Sequence, residues 1–276
     1  MYQYKSLDKI SLSEISQCMN LAFSDYAVPI HLTEAELSNL FWVSGVDRDL
    51  SYGAFFHGTL VGFMLNSCGL YQGHRAAFNV ATGVIPLHRD NQVFTNLLFS
   101  VQHVLRENQI ERYYLEVLQQ NERAISLYER QVFSITRELF VLSSSVSSGI
   151  LPSNRVKYAC FSAFDFSQVF DTNRNIPSYE HSDHVLKLHP HLYNVAYVKK
   201  RRVSAWCVFS NTTGQLFQLG WSSIHDLSEI VQSLLTRYPH VIAKNIEASQ
   251  QEILKMLNGL QFKVVAKQYE MIQYLR

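Results

Sequence analysis

The chain has 276 residues, a formal net charge of +1 and only 17% charged residues. That length holds one large or two ordinary domains, the near-zero charge speaks against a phosphate-coated partner such as a nucleic acid, and 13% aromatic residues exclude a disordered chain. Cys18, Cys68, Cys160 and Cys207 are widely spaced without a CxxC pair, which argues against structural zinc and leaves disulfides open. No apolar run reaches the roughly 18 residues of a membrane span, and no signal peptide is visible at Met1 to Lys5. The expected setting is the cytoplasm, with no membrane partner.

In chain order, residues 12–23 and 33–43 read as amphipathic helices. Residues 52–56 and 60–65 read as strands joined by a hairpin turn at His57-Gly58. A strand at 76–82 leads to a helix opening near Asn91 and running to Arg106. Its apolar side carries Phe94, Leu97, Leu98, Val101 and Leu105. A strand follows at 112–118, then a helix at 122–130 capped by Asn121, a turn closed by Phe133 and a strand from Ile135. The serine-rich run SSSVSSGILPS at 143–153 cannot bury a core and reads as a linker. The order then partly recurs: strands at 194–198, 203–210 and 214–220, a helix at 224–238, a strand at 240–246, a helix at 251–257, a turn at Gln261-Phe262 and a closing strand. The expected division is an N-terminal domain 1–145, a linker 146–155 and a C-terminal domain 156–276.

Two stretches carry a family resemblance. YLEVLQQNERAISLYERQVFSITRE, residues 114–138, shows a strand, an Asn-containing loop, a helix with Leu127-Tyr128-Glu129, and Phe133 in a turn. FNVATGVIPLHR, residues 78–89, shows a strand ending in Gly83-Val84-Ile85-Pro86, followed by Arg89 and a helix. Together they resemble the GNAT superfamily of acetyltransferases, and the recurring order resembles its two-domain type. The resemblance implies an α+β fold of two tandem domains, each a mixed, mainly antiparallel twisted sheet flanked by helices. It implies N-acetyl transfer from acetyl-coenzyme A to a small-molecule or peptide amine; a homodimer is left open.

What the resemblance implies for the site can be set out residue by residue. Val84 and Ile85, at the end of the fourth strand of the domain, match the segment whose backbone amides face the thioester. Arg89, Asp90, Asn91, Gln92, Val93 and Phe94 match the loop and helix start that hold the coenzyme's pyrophosphate on free N–H groups and the helix dipole. Asn121 matches a contact to the pantetheine arm, although a helix cap explains it equally. Tyr128 matches the acid that protonates the leaving thiolate, against the plainer role of a core aromatic. Glu116 is a candidate base, with a solvated strand residue as the stronger alternative. Asp25 and Tyr26, after the first helix, are candidates for the acceptor pocket.

This chain departs from the family where Asp90, Gln92 and Phe94 replace glycines or a small residue, and where Val132 stands for the usual glycine before Phe133. Asp90 is expected to cap the helix and to repel a phosphate. Two like charges about 5 Å apart cost on the order of 3 kcal/mol at an effective dielectric of 20. The alternative reading is therefore a pseudo-acetyltransferase that has lost its coenzyme and acts as a binding module. The C-terminal half has no glycine in WSSIHD, residues 221–226, and reads as structural or substrate-shaping. His181, His184, His189 and His191 match no common zinc spacing, so no metal is expected. The basic run Lys199 to Arg202 reads as a solvated turn.

Overall fold

The computed structural model describes residues 1–25, 31–145, 153–169 and 173–275. They form two compact units, Met1–Glu116 with Ser126–Ser134 and Met271–Arg276, and Val117–Ile125 with Ile135–Glu270. Most of the expected linker, residues 146–152, lies outside the described residues.

The first unit holds β1 (Tyr2–Ser6), α1 (Leu12–Ala22), α2 (Glu34–Ser44), β2 (Val46–Phe56), β3 (Thr59–Tyr71), β4 (His74–Val84) and α3 (Val93–Glu107), with β5 (Arg112–Leu118) through Glu116 and α4 (Glu122–Arg130) from Ser126. Its strands run in the order β1-β2-β3-β4-β5, antiparallel except for the parallel pair β4–β5. The residues from Met271 on complete it, with Leu275 N–H donating to Glu111 C=O at 2.9 Å. Ser11 with Glu14 and Thr33 with Glu36 form capping boxes that fix where α1 and α2 begin. Ile15, Met19 and Leu37 bury their side chains against Phe55, Phe63 and Leu65. Each such fully buried side chain contributes about 1.5–3 kcal/mol.

The second unit holds β6 (Ser134–Ser144) from Ile135, β7 (Val156–Cys160), β8 (Asn173–Arg174), α5 (Asp183–Leu186), β9 (Tyr193–Lys199), β10 (Val203–Ser210), β11 (Leu216–Trp221), α6 (Ile224–Arg237), β12 (Val241–Glu247), α7 (Gln251–Gly259) and β13 (Lys263–Tyr274) through Glu270. Its strand order is β13-β6-β12-β11-β10-β9-β7, with β8 on β11. Leu227, Ile230, Val231 and Leu234 of α6 lie in one buried cluster with Leu219 of β11 and Ala243 of β12.

The two units repeat one local device. At the end of α4, Phe133 N–H donates to Tyr128 C=O at 3.1 Å and Val132 N–H to Glu129 C=O at 3.0 Å. At the end of α7, Phe262 N–H donates to Leu257 C=O at 3.0 Å and Gln261 N–H to Asn258 C=O at 2.9 Å. Both are Schellman caps, which need a left-handed residue; Val132 has φ 65° and Gln261 φ 62°. The likeness expected between the turns at Phe133 and Phe262 is thus a shared hydrogen-bond pattern.

β1, β7 and β8 were not foreseen from the sequence. β1 alternates between half-buried and exposed positions, so YQYKS shows no apolar period to read.

Candidate active site

The site is built around the end of β4. Gly83 lets α1 approach this strand, because a Cβ there would stand 2.9 Å from both Ala22 Cβ and the Phe63 ring. Ile85 N–H donates to Val61 C=O at 2.9 Å, and Val84 stands opposite Gly62. Antiparallel pairs alternate between bonded and non-bonded. The pair before Ile85 is therefore non-bonded, so the N–H and C=O of Val84 face away from β3, and those of Thr82 do the same. On that side β5 pairs with β4 only from Ala76–Arg112 to Asn79–Leu115. Beyond Asn79 β5 no longer pairs with this edge of β4, which is open among the described residues. Of the two backbone donors expected at this strand end, Ile85 is taken by the sheet and Val84 faces the open edge.

Arg89 closes the next turn, and four of its five N–H donors are engaged. Nε donates to Val84 C=O at 3.0 Å, Nη2 to Ala22 C=O at 2.8 Å, and both Nη atoms to the Asp25 carboxylate at 2.6 and 2.9 Å. Arg89 and Asp25 were expected in different roles. The structure brings them together as a bidentate pair that braces the end of α1 against the end of β4. Tyr26 lies outside the described residues.

The start of α3 corrects one expectation. Asp90 is not its cap: the helix begins at Val93 and its N-cap is Gln92, which makes no side-chain cap hydrogen bond. Asp90 and Gln92 both hold left-handed backbone, at φ 65° and 56°. This is the conformation that glycines adopt at no cost. Asn91 is exposed, and its side chain donates to Arg89 C=O at 3.1 Å. Val93 is buried in the first turn. The N–H groups of that turn have no cap from Gln92, and an α-helix cannot satisfy them internally. A physical reason accounts for the correction: the two left-handed residues reverse the chain before helical geometry starts, leaving Asp90 two positions short of the cap.

Phe94 is half-buried rather than part of the sealed core, and its ring meets the ring of Tyr128 edge-on at 5.4 Å. Tyr128 is buried and also packs edge-on against Phe133 at 5.4 Å. Glu116 is half-buried on β5, two residues from Tyr114 on the same side of the strand. Asn121 belongs to the second unit, where its Oδ1 accepts from Ala124 N–H at 3.2 Å and caps α4.

The sequence reading missed a buried polar chain next to this edge. Tyr113 OH donates to Asn66 Oδ1 at 2.6 Å and accepts from Asn79 Nδ2 at 3.0 Å. Thr82 Oγ1 donates to Asn79 Oδ1 at 2.7 Å, and Asn66 Nδ2 donates to Leu50 C=O at 2.7 Å. Burial pushes the Tyr113 hydroxyl well above the usual phenol range, so it stays protonated. The signal available in the sequence was three polar residues, Asn66, Asn79 and Thr82, inside strands that otherwise read as apolar.

In the second unit the same places are filled by the chain itself. β11 and β12 are parallel and pair only at Leu216–Ala243. Residues 174–181 then bond to both strands. Arg174 pairs with Gly220, Asn175 N–H donates to Leu219 C=O at 3.2 Å, and Ser178 Oγ accepts from Asn245 Nδ2 at 2.7 Å. At the start of α6, Ser223 caps the N–H of Asp226. The Asp226 carboxylate is fully buried and bonded to Arg155 at 2.6 Å, Lys200 at 2.8 Å and Ser204 at 2.6 Å. Burial works to raise its pKa, but the bonds from Lys200, Ser204 and Arg155 more than offset this and hold it below the usual range. By the shared cap, Leu257 stands where the first unit has Tyr128, and it has no proton to give. Among the described residues no three His, Cys, Asp or Glu side chains converge as a metal site. No helix among them is long and apolar enough to cross a membrane.

The first unit thus sets a stretch of β4 that β5 has left beside an α3 start that Gln92 does not cap. Residues 15–133 match the acetyltransferase (GNAT) family, and the chain as a whole has the fold of two-domain proteins of that kind. Similar solved structures show the same fold. A GCN5-related N-acetyltransferase from Sphaerobacter thermophilus superposes with a TM-score of 0.73 at 11% identity, covering 100% of this chain and 96% of that one. A tandem GNAT protein from the clavulanic acid biosynthesis pathway gives 0.63 at 10% identity, covering 100% and 99%. A GCN5-related N-acetyltransferase from Anabaena variabilis gives 0.61 at 11% identity, covering 100% and 73%. No curated protein matches the sequence. Family and fold support acyl transfer in general.

Proposed function

We propose that the chain is an N-acetyltransferase that takes its acyl group from acetyl-coenzyme A at the first unit and delivers it to an amine of a small molecule or peptide. One observation carries this reading: the outward-facing N–H of Val84 on an edge of β4 that β5 has left, next to an α3 start that Gln92 does not cap. The residues present fit the coenzyme. The open edge suits an extended amide-bearing arm, and the first turn of α3 suits phosphates. Arg89 acts here as a brace, since its donors are engaged by Asp25, Ala22 and Val84.

When bound, the thioester supplies the acyl group and a thiolate leaving group. Val84 N–H is placed to stabilise negative charge on a carbonyl oxygen. The Tyr128 phenol carries a proton that can pass to a departing sulfur. Glu116, half-buried on β5, is the candidate base for the incoming amine. Residues 174–181, Asp226 and Leu257 of the second unit support the first unit as the seat of the reaction. A second reading, a binding module without coenzyme, draws on the commitment of Arg89 to Asp25 and the ring of Phe94 against Tyr128.

Replacing Tyr128 by Phe separates acid from core aromatic. Removing a general acid lowers kcat on the order of 10²–10⁴-fold, while the ring packing is kept. An unchanged rate in an active enzyme removes Tyr128 from the mechanism.

A further inference from the structure

The buried chain beside β4 has a direction, and one backbone atom sets it. Leu50 C=O can only accept, so the Asn66 amide must turn its NH2 toward it, at 2.7 Å. Asn66 Oδ1 then faces Tyr113, whose hydroxyl must donate, at 2.6 Å. The Tyr113 oxygen is left to accept, so Asn79 presents its NH2, at 3.0 Å. Asn79 Oδ1 therefore faces Thr82, whose hydroxyl must donate, at 2.7 Å. Asn66, Asn79 and Tyr113 are buried, so reversing any link would leave an unsatisfied group inside the unit. At the end of this relay Thr82 is half-buried. Its proton is committed inward, and its oxygen offers lone pairs only. Thr82 lies on the stretch of β4 beyond Asn79, where β5 no longer pairs.

We propose that Thr82 is a positioning residue for the acyl donor: its hydroxyl oxygen, locked as an acceptor by the Asn79–Tyr113–Asn66 relay, takes a hydrogen bond from an amide N–H of the pantetheine arm at the open edge of β4. The inference rests on the coenzyme reading above and adds to it a side-chain contact that fixes the register of the arm along the strand. It selects for a donor at that position of the ligand. An ester oxygen there would face the Thr82 lone pairs and be rejected.

The test is titration calorimetry of wild type, Thr82→Val and Thr82→Ser with coenzyme A and with adenosine 3′,5′-bisphosphate, which has the phosphates but no pantetheine. One net hydrogen bond corresponds to about a three- to tenfold change in Kd. Thr82→Val is expected to weaken coenzyme A by that factor and leave the bisphosphate unchanged, and Thr82→Ser to restore coenzyme A binding. Equal weakening of both ligands, or unchanged coenzyme A binding by Thr82→Val, overturns the proposal. Where wild type binds the bisphosphate but gains nothing from the pantetheine arm, Thr82 has no such role. Where it binds neither ligand, the coenzyme reading beneath it fails as well.

Discussion

Val132 shows how much a single residue can reveal. The Schellman cap of α4 requires left-handed backbone, and Val132 adopts it at φ 65° although β-branched residues are strained there. Its side chain is 79% exposed, so packing gives little in return. Val132→Gly is therefore expected to stabilise the protein by about 1 kcal/mol, read as a raised midpoint in urea unfolding with an unchanged slope. A lowered midpoint would show that the side chain holds more than the backbone strain costs. The sequence marked this position through the family pattern alone; the left-handed conformation explains why glycine is usual. Asp90 went the other way. A carboxylate before a helix reads as a cap, but Asp90 stands two residues ahead of the N-cap, Gln92.

At the scale of elements, strands with an apolar run and helices with a clear period were legible. β5 and α4 fall at the residues expected, and β10 likewise. What was not legible depends on partners distant in sequence. β8 has two residues and exists because β11 offers an edge. The relay through Asn66, Asn79 and Tyr113 joins three strands, and no local spacing announces it.

The histidine-rich segment 179–191 gives another such case. His181, set aside as a metal ligand on its spacing, is buried, with Glu180 paired to Lys244 beside it. Burial lowers its pKa, Lys244 adds to the effect, and it falls to about 3 against an ordinary 6.5. Its folded-state pKa is below the unfolded one, so the unfolded chain binds more protons between those values. Stability from this group is complete above pH 6.5 and is lost as pH falls toward about 3. His181→Gln is expected to flatten the fall in stability between pH 6.5 and pH 4.5. A slope unchanged from wild type would show that His181 charges as readily folded as unfolded.

At the scale of the whole molecule, the chain repeats a unit and treats the copies differently. The first keeps an open β4 edge, a helix start not capped by its side chain, and Tyr128. The second bonds residues 174–181 across β11 and β12, caps α6 with Ser223, buries Asp226 behind it, and has Leu257 for Tyr128. The family resemblance was readable because it lies in short motifs. The asymmetry was only half readable: missing glycines showed in the sequence, whereas the self-filled edge did not. A buried Asp226 or a bonded Ser178 looks like any polar loop residue until the partners are known.

The measurement that tests this account most directly is calorimetric titration of the intact protein with acetyl-coenzyme A. The account predicts saturable binding of about one equivalent per chain, with Kd on the order of micromolar, or about 8 kcal/mol. Two equivalents would contradict the closure of the second unit. No heat and no thermal shift at millimolar ligand would contradict the open β4 edge as a coenzyme site, and would make the binding-module reading the one to pursue.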